Sequence, residues 1–276
     1  MKVNKVINNN IISTLDENGE EIIVMGRGIG FGIKSDAIID QSKIEKIFRM
    51  DSKDETKRLK EVLYDAPIEH VRIVSELIQE ANRRIHDKIQ RSIYITLLDH
   101  INFAIERQKR NIQFNNPLLR DIKRFYPVEY ALGIEAINVV KEKLGIILPE
   151  DEAAAIALHF INAQLGQSMS LTMDIPTIIE DSIKIIKAYY NMVLDEETLN
   201  YERFLIHMKF FAERTISNSY LQEDDMVLNA VIKKQYKKAY ECAEKIGTYV
   251  NTEYQVEITF EELTFLAVHI VRITKE

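Results

Sequence analysis

The chain has 276 residues, of which 46% are hydrophobic and 29% are charged, a composition typical of a globular protein and unlike that of collagen or a disordered chain. Its formal net charge of −7 argues against general coating of nucleic acid or anionic membrane, but not against a local nucleic-acid site. The single cysteine, Cys242, excludes an intrachain disulfide and an all-cysteine metal site. Because no apolar leader and no run of about 18 apolar residues occurs, we expect a cytoplasmic protein without membrane insertion.

The first 55 residues predict a small antiparallel β-sheet. Residues 3–15 and 21–25 are rich in β-branched side chains, and the turn signal Asp16-Glu17-Asn18-Gly19 separates them, which is typical of a hairpin. Two short apolar segments and a charged run follow at 38–39, 44–50 and 51–55, and the last is interpreted as a linker. A sheet of this size is marginally stable alone, so we expect the region to dimerise.

Residues 25–32 of this region read MGRGIGFG. The glycine spacing matches neither the dinucleotide-binding motif nor the P-loop, which leaves a β-bulge or a wide turn as one interpretation. The other interpretation is an RNA site, because Arg27 and Phe31 can hydrogen-bond to and stack on unpaired bases. Asn8 and Asn10, placed on one face of the first predicted strand about 7 Å apart, would add amides able to read base edges. The residues alone leave both interpretations open.

From residue 65 onward the apolar periodicity is helical, and the sequence repeats after about 110 residues. The motif H-x-x-F-x-x-E-R occurs at 100–107 and again at 207–214, and an apolar segment ending in histidine occurs at 151–159 and again at 261–269. A period this long indicates two tandem copies of one domain. The sequence therefore predicts a small β domain followed by two similar all-α helical bundles, with bounds at 1–55, 65–170 and 171–276.

Four of the six histidines occupy equivalent places in the two copies, so each helical domain carries a pair: His100 with His159, and His207 with His269. A lone histidine at such a place is more often a hydrogen-bonded packing residue. Four in register favour imidazole chemistry instead. At 100° per residue, His100 and Arg107 lie together at the edge of an apolar helical stripe, and the second copy repeats this placement.

Three kinds of imidazole chemistry compete. A zinc site would need three or four ligands at short spacings such as H-x-x-x-H, which the histidine pairs lack, so metal is a weak option. We expect no metal and no cofactor. Acid–base catalysis would need a carboxylate partner, but Asp99 beside His100 corresponds to Ile206 in the second copy. Phosphoryl acceptance fits better, because neutral imidazole is a nucleophile and a nearby arginine stabilises the transferred charge. The added negative charge could then rearrange an interface.

The chain resembles the BglG-type (bgl-sac) transcriptional antiterminators along its whole length, and most closely the β-glucoside branch. The resemblance rests on VINNN at 6–10, the glycine-rich segment, the four histidines and LPEDE at 148–152 before His159. It implies a dimeric co-antiterminator RNA-binding domain followed by two PTS-regulation domains (PRD1 and PRD2), and no enzymatic activity. The dimer would bind a leader-mRNA hairpin and so prevent an overlapping terminator from forming. Six residues would contact the RNA: Lys5, Asn8, Asn10, Gly26, Arg27 and Phe31.

The resemblance also implies a switch operated by the sugar phosphotransferase system. His100 and His159 would take an inhibitory phosphate through the sugar-specific permease, enzyme II, when substrate is absent. His207 and His269 would take an activating phosphate from the phosphocarrier HPr when preferred sugars are scarce. One rival is a phosphohistidine relay or interaction protein of the same system without RNA output. A DNA-binding activator is disfavoured because no helix-turn-helix pattern opens the chain.

Overall fold

A four-stranded antiparallel sheet opens the computed structural model, which describes residues 1–219 and 226–274. The strands follow chain order: β1 (Val3–Asn8), β2 (Ile11–Leu15), β3 (Glu21–Met25) and β4 (Lys46–Phe48). One face carries a small apolar cluster of Val3, Ile12, Val24, Ile29 and Ile39. The other face, with Ile7, Ile11 and Ile23, joins the core of the following helices. The predicted antiparallel sheet is therefore confirmed.

The prediction of one long strand over residues 3–15 is wrong. The segment forms β1 and β2, which pair with each other across a tight turn at Asn9 and Asn10, with Asn8 opposite Ile11. Two consecutive asparagines tolerate turn conformations well, and the β-branched residues on both sides concealed this break. The predicted turn at Asp16 and Gly19 does connect β2 to β3, and the amide of Gly19 donates to the carbonyl of Asp16 at 3.1 Å.

The charged run at 51–55 is also not a linker. It contains the start of the first helix, because the Ser52 hydroxyl accepts from the amide of Glu55 at 3.1 Å, and the Glu55 carboxylate accepts from the amide of Asp51. Ser-x-x-Glu is a helix-start signature, and the charged residues of the run belong to the first turn of α1. Helical structure therefore begins before residue 65.

The helices are, in chain order, α1 (Lys53–Asp65), α2 (Ile68–Arg84), α3 (Ile93–Lys109), α4 (Leu119–Phe125), α5 (Pro127–Leu144), α6 (Glu150–Leu165), α7 (Met169–Tyr190), α8 (Leu199–Ser217), α9 (Met226–Gln235), α10 (Lys237–Tyr254) and α11 (Phe260–Thr274). The chain divides into two compact units. The first comprises residues 1–119 and 126–164, and the second comprises 120–125 and 165–276. Within the described residues, no helix is long and apolar enough to cross a membrane.

The first unit joins the sheet to helices α1 to α3, α5 and α6 in one hydrophobic core. Helix α1 contacts β1 and β3, and α2 contacts α3 and α5. In the second unit, α7 contacts α8 and α10, and α11 contacts α8. Each unit thus brings a helix with the H-x-x-F-x-x-E-R motif and a helix with the second histidine into one bundle.

Candidate functional site

The glycine-rich segment forms a succession of turns over residues 27–32 after β3. Two of its glycines permit close backbone approach, since a Cβ at Gly26 would overlap the carbonyl oxygen of Lys43 and one at Gly30 would overlap that of Asn8. Ile29 is fully buried and anchors the loop in the small cluster on the sheet. The structure therefore supports the turn interpretation, with a loop held tightly against the strands.

Arg27 and Phe31 project from this anchored loop. Arg27 is exposed, and Phe31 is 74% exposed although its ring is fully apolar. An exposed aromatic side chain and an exposed guanidinium on one anchored loop are well suited to stacking on and hydrogen-bonding to unpaired bases. These two predicted residues lie where RNA could reach them.

Asn8 and Asn10 do not share one strand face. Asn8 ends β1, and its amide nitrogen donates to the carbonyls of Leu63 and Tyr64, at 2.9 and 3.3 Å, at the end of α1. Asn10 lies in the turn, and its side-chain oxygen accepts from the amide of Gly28 at 2.8 Å. The Asn8 side-chain oxygen accepts from the amide of Asn10 at 2.9 Å. Both side chains therefore shape the protein backbone around the loop.

Lys5 is exposed on β1, opposite Ser13. It lines a shallow groove together with Lys57, Lys60 and Tyr64 of α1. Gly26 is buried, and its amide donates to the carbonyl of Asn10 at 2.9 Å. The structure thus brings Asn10, Gly26, Arg27 and Phe31 into one loop region and places Lys5 on the strand.

The first histidine pair joins α3 to α6. The rings of His100 and His159 are 4.8 Å apart between centroids and inclined by 49°. Nε2 of His100 lies 3.1 Å from Oε2 of Glu152, and the Arg107 guanidinium donates to both oxygens of Glu152 at 2.7 and 2.9 Å. Burial by itself would raise the pKa of Glu152, but His100 and Arg107 hold it below its ordinary value. The pair is therefore built around a buried carboxylate.

The second pair joins α8 to α11 with tighter geometry. The rings of His207 and His269 are stacked, 3.6 Å apart between centroids and inclined by 24°. Arg214 donates to the two oxygens of Glu262 at 2.6 and 2.7 Å. A small cavity of about 110 Å³ adjoins the rings and is also lined by Arg214 and Glu262. The second bundle thus repeats the His–His–Arg–Glu arrangement of the first.

Helix ends explain how these side chains reach their places. α8 begins where the Thr198 hydroxyl accepts from the amide of Tyr201 at 3.2 Å. α11 begins beside Thr259, whose hydroxyl accepts from the amide of Glu262 at 3.4 Å. This bond follows the Thr-x-x-Glu pattern of the sequence, and Arg214 then takes the carboxylate of Glu262. The helix start and the ion pair therefore fix the same residue.

The four histidines differ in accessibility. His207 is exposed, whereas the His100 side chain is only 14% exposed. His269 is buried, and burial, then His207 and Arg272, lowers its pKa to about 4. His159 is partly exposed as a residue, but its Nδ1 is buried and has no hydrogen-bond partner in the described part of the chain. Burial and then His100 lower the pKa of His159 to about 3. Neutral imidazole is favoured at both His159 and His269.

Glu152 and Glu262 are the functional residues that sequence reasoning missed. Their side chains are 2% and 1% exposed, and they hold the two equivalent arginines. The signal was present, because both stand at the same place in the apolar segments 151–159 and 261–269. The carboxylate that contacts His100 is Glu152, and not its chain neighbour Asp99. No group of three or more metal-ligating side chains is arranged to hold a metal ion in the described residues.

Comparison with protein families matches both parts of the chain. The CAT RNA binding domain matches residues 1–57, and the PRD domain matches residues 75–163 and 180–273. The transcription antiterminator LicT of Bacillus subtilis (strain 168) is 43% identical over 276 residues, which is 100% of both chains. The beta-glucoside operon antiterminator of Dickeya chrysanthemi is 40% identical over 276 residues, covering 100% of this chain and 98% of the relative.

A solved structure supports the fold of the N-terminal part. The crystal structure of GlcT CAT-PRDI is 36% identical, covers 59% of this chain and 97% of the solved one, and superposes with a TM-score of 0.52. The sheet and the glycine-rich loop lie within the residues matched by the CAT RNA binding domain, and each histidine pair lies within a segment matched by the PRD domain. The chain belongs to the BglG-type transcriptional antiterminators, with a CAT RNA-binding domain followed by two PRD domains.

Proposed function

We propose that this antiterminator acts on a leader-mRNA hairpin of a β-glucoside operon, and that four phosphorylatable histidines control it. The observation that carries the RNA part is the anchored loop, which presents Arg27 and the 74% exposed Phe31. Arg27 hydrogen-bonds to bases or phosphates, Phe31 stacks, and Lys5 contacts the backbone of the RNA. Gly26 and Asn10 act by fixing the loop. The RNA is bound by a homodimer formed through the small sheet.

The histidine pairs supply the control. In phosphoryl transfer, the unprotonated imidazole nitrogen attacks the phosphorus of the donor, and the donor leaves with the electron pair of its bond to phosphorus. The proton on the other ring nitrogen passes through water to the departing donor. The product carries close to two negative charges beside Glu152 or Glu262. Because a phosphoryl group suits the planar arginine fork as well as a carboxylate does, it competes with the glutamate for Arg107 or Arg214.

The two pairs then act as opposed switches. His100 and His159 take an inhibitory phosphate through enzyme II, the sugar-specific permease, and His207 and His269 take an activating phosphate from HPr. The surroundings support a difference between them, because Arg272 as well as Arg214 acts on His207, whose pKa is lowered by burial and by these two charges. Residue 162, equivalent to 272, is an asparagine. The second site thus favours a bound dianion more strongly.

RNA binding by the full chain is the decisive test. Structured leader hairpins are titrated with wild type, Arg27→Ala and the control Arg83→Ala, which removes an exposed arginine of α2, over a series of salt concentrations. We expect tight and selective binding that Arg27→Ala abolishes or weakens, with a salt slope lower by about one. Absence of binding to any hairpin by wild type would leave a phosphohistidine relay or interaction protein as the function.

The control by phosphate is tested separately with His207→Asp combined with His269→Asp. We expect this variant to raise transcriptional readthrough in a reconstituted antitermination assay without a phosphate donor, because two carboxylates partly reproduce the added negative charge. Replacement of the same histidines by alanine is the matched control. Equal readthrough from wild type and the aspartate variant would contradict the activating role of this pair.

A further inference from the structure

The carboxylate of Glu45 lies between α2 of the first helical bundle and the glycine-rich loop. Arg72 of α2 grips it with two hydrogen bonds, from Nε at 3.0 Å and from a terminal nitrogen at 2.8 Å. The same carboxylate accepts from the backbone amide of Arg27 at 3.1 Å. Glu45 itself is held beside the loop, because its own amide donates to the carbonyl of Met25 at 2.9 Å. One carboxylate therefore joins α2 to the backbone of Arg27.

A second connection reaches the next residue of the loop. The carbonyls of Leu63 and Tyr64 at the end of α1 accept from the Asn8 amide. Asn8 accepts from the amide of Asn10, and Asn10 accepts from the amide of Gly28. Each bond in this chain is between 2.8 and 3.3 Å. The amide relay thus joins α1 to the loop one residue after the site of the Glu45 bond.

Both connections end on backbone amides, which leaves the side chains of Arg27 and Phe31 exposed. The connections through Glu45 and Asn8 therefore differ from direct RNA contacts. A shift of α2 would strain the bond to the amide of Arg27, and a shift of α1 would strain the bond to the amide of Gly28. The loop has few other ways to adapt, because Ile29 is fully buried and Gly26 and Gly30 lie against neighbouring backbone.

We propose that Glu45, Arg72 and Asn8 are positioning residues for RNA recognition, which transmit the arrangement of α1 and α2 to the Arg27–Gly28 backbone. Asn8 accordingly acts through Asn10 and the loop. The inference rests on the proposed function, because it supplies a route by which the state of the first histidine pair alters RNA affinity. It names a pair, Arg72 and Glu45, that lies outside the glycine-rich segment and outside the histidine pairs.

The test measures hairpin affinity of the full chain for Arg72→Gln, Glu45→Gln and the double variant, with Arg84→Gln as control. Arg84 is also on α2 and pairs with Glu80 and Glu135. We expect Arg72→Gln and Glu45→Gln each to weaken hairpin binding about three- to tenfold. The double variant should bind no more weakly than the more impaired single variant, because both substitutions break the same link. The control should bind as wild type does. The salt slope should equal that of wild type in all four.

Asn8→Asp tests the second connection and does not depend on the Arg72 variants. It removes the donor to Leu63 and Tyr64 and keeps the oxygen that accepts from Asn10. We expect weaker binding to all hairpins by a similar factor. A changed preference among hairpins would instead show that Asn8 reads bases directly, which would overturn its positioning role.

An aspartate that mimics phosphate at His100 separates transmission from α2 to the loop from a merely structural effect of Arg72. The ratio of hairpin affinities between His100→Asp and wild type should shrink toward one when Arg72→Gln is present in both. Unchanged affinity in Arg72→Gln, a salt slope reduced by about one, or an undiminished ratio would each overturn the inference. If wild type itself binds no hairpin, it is the proposed function that fails. Thermal melts identify variants that do not fold. The conservative variants Arg72→Lys and Glu45→Asp are measured in place of any glutamine variant that fails this check.

Discussion

The imidazole rings of His207 and His269 stack with their centroids 3.6 Å apart, which is 1.2 Å closer than the rings of His100 and His159 at 4.8 Å. At this distance both rings cannot carry a positive charge without strong repulsion. A phosphoryl group on the buried His269 ring must also displace the His207 ring or occupy the adjoining cavity. The second pair is therefore a place where one added group changes the contact between α8 and α11.

The first prediction concerns pH. Burial, His207 and Arg272 lower the pKa of His269 from 6.5 to about 4 in the folded protein. Between these two pH values, His269 is protonated in the unfolded chain and neutral in the folded chain. The contribution of neutral His269 to the free energy of unfolding is complete above pH 6.5. It is lost as the pH falls toward 4, with a limiting slope of about 1.4 kcal/mol per pH unit. We expect His269→Gln to flatten the decline of the melting temperature between pH 7.5 and 5.

The matched control is His86→Gln, since His86 is exposed and lies outside both pairs. It should leave the decline of the melting temperature as steep as in wild type. If His269→Gln melts with the same pH dependence as wild type, His269 does not remain neutral in the folded chain.

The second prediction concerns Glu262→Gln. The carboxylate is 1% exposed and its partner Arg214 is 26% exposed, so loss of the charge leaves an arginine that is only partly rehydrated. We expect the free energy of unfolding to fall by about 1–3 kcal/mol, less than for a fully buried pair. We also expect phosphorylation of this histidine pair by a phosphohistidine donor protein to increase, because Arg214 is released and one negative charge is removed.

Mass spectrometry of the phosphorylated chain measures the second effect, and Glu261→Gln in the same first turn of α11 is the control. Less phosphate on Glu262→Gln than on the control would mean that the carboxylate orients or activates a histidine rather than opposing the phosphate.

Much of this architecture could be predicted from the sequence. The antiparallel sheet followed from β-branched runs around a turn signal, and the pairing of His100 with His159 followed from their equivalence to His207 and His269. Both depend on periodicity and repetition, which are local or self-comparing features of a sequence. Arg107 beside His100 was likewise predictable from helical geometry.

What escaped prediction depends on contacts between distant segments. The hydrogen bonds of Asn8 with α1 and of Asn10 with Gly28 join segments that are distant in the sequence. The asparagines around Asn9 suit a turn, but the β-branched residues on both sides suit one continuous strand equally well. Glu152 is 45 residues from Arg107, so only the folded bundle brings this carboxylate to the histidines.

The third prediction is that Gly26→Ala abolishes RNA binding although glycine has no side chain to contact RNA. A Cβ at this position overlaps the carbonyl of Lys43, so the loop or the segment before β4 must move. Overpacking of this kind costs about 1–3 kcal/mol. Thermal melts and hairpin titration of the variant should both show a loss, whereas Lys34→Ala, at an exposed position, should melt as wild type does. A stable Gly26→Ala variant would show that this close approach is not required.

The fourth prediction separates recognition from stability at Phe31. Phe31 is 74% exposed, so Phe31→Ala removes little buried surface and should leave the melting temperature within about a degree of wild type. Stacking of one base on an aromatic ring contributes about 1–3 kcal/mol, and we therefore expect hairpin affinity to fall about 5- to 150-fold. Phe103→Ala is the matched control, because Phe103 is 61% exposed on α3 and far from the loop in sequence. Equal hairpin affinities for the two variants would mean that exposure of the Phe31 ring serves another purpose, whereas a selective loss with unchanged melting would establish the ring as a stacking platform for an unpaired base.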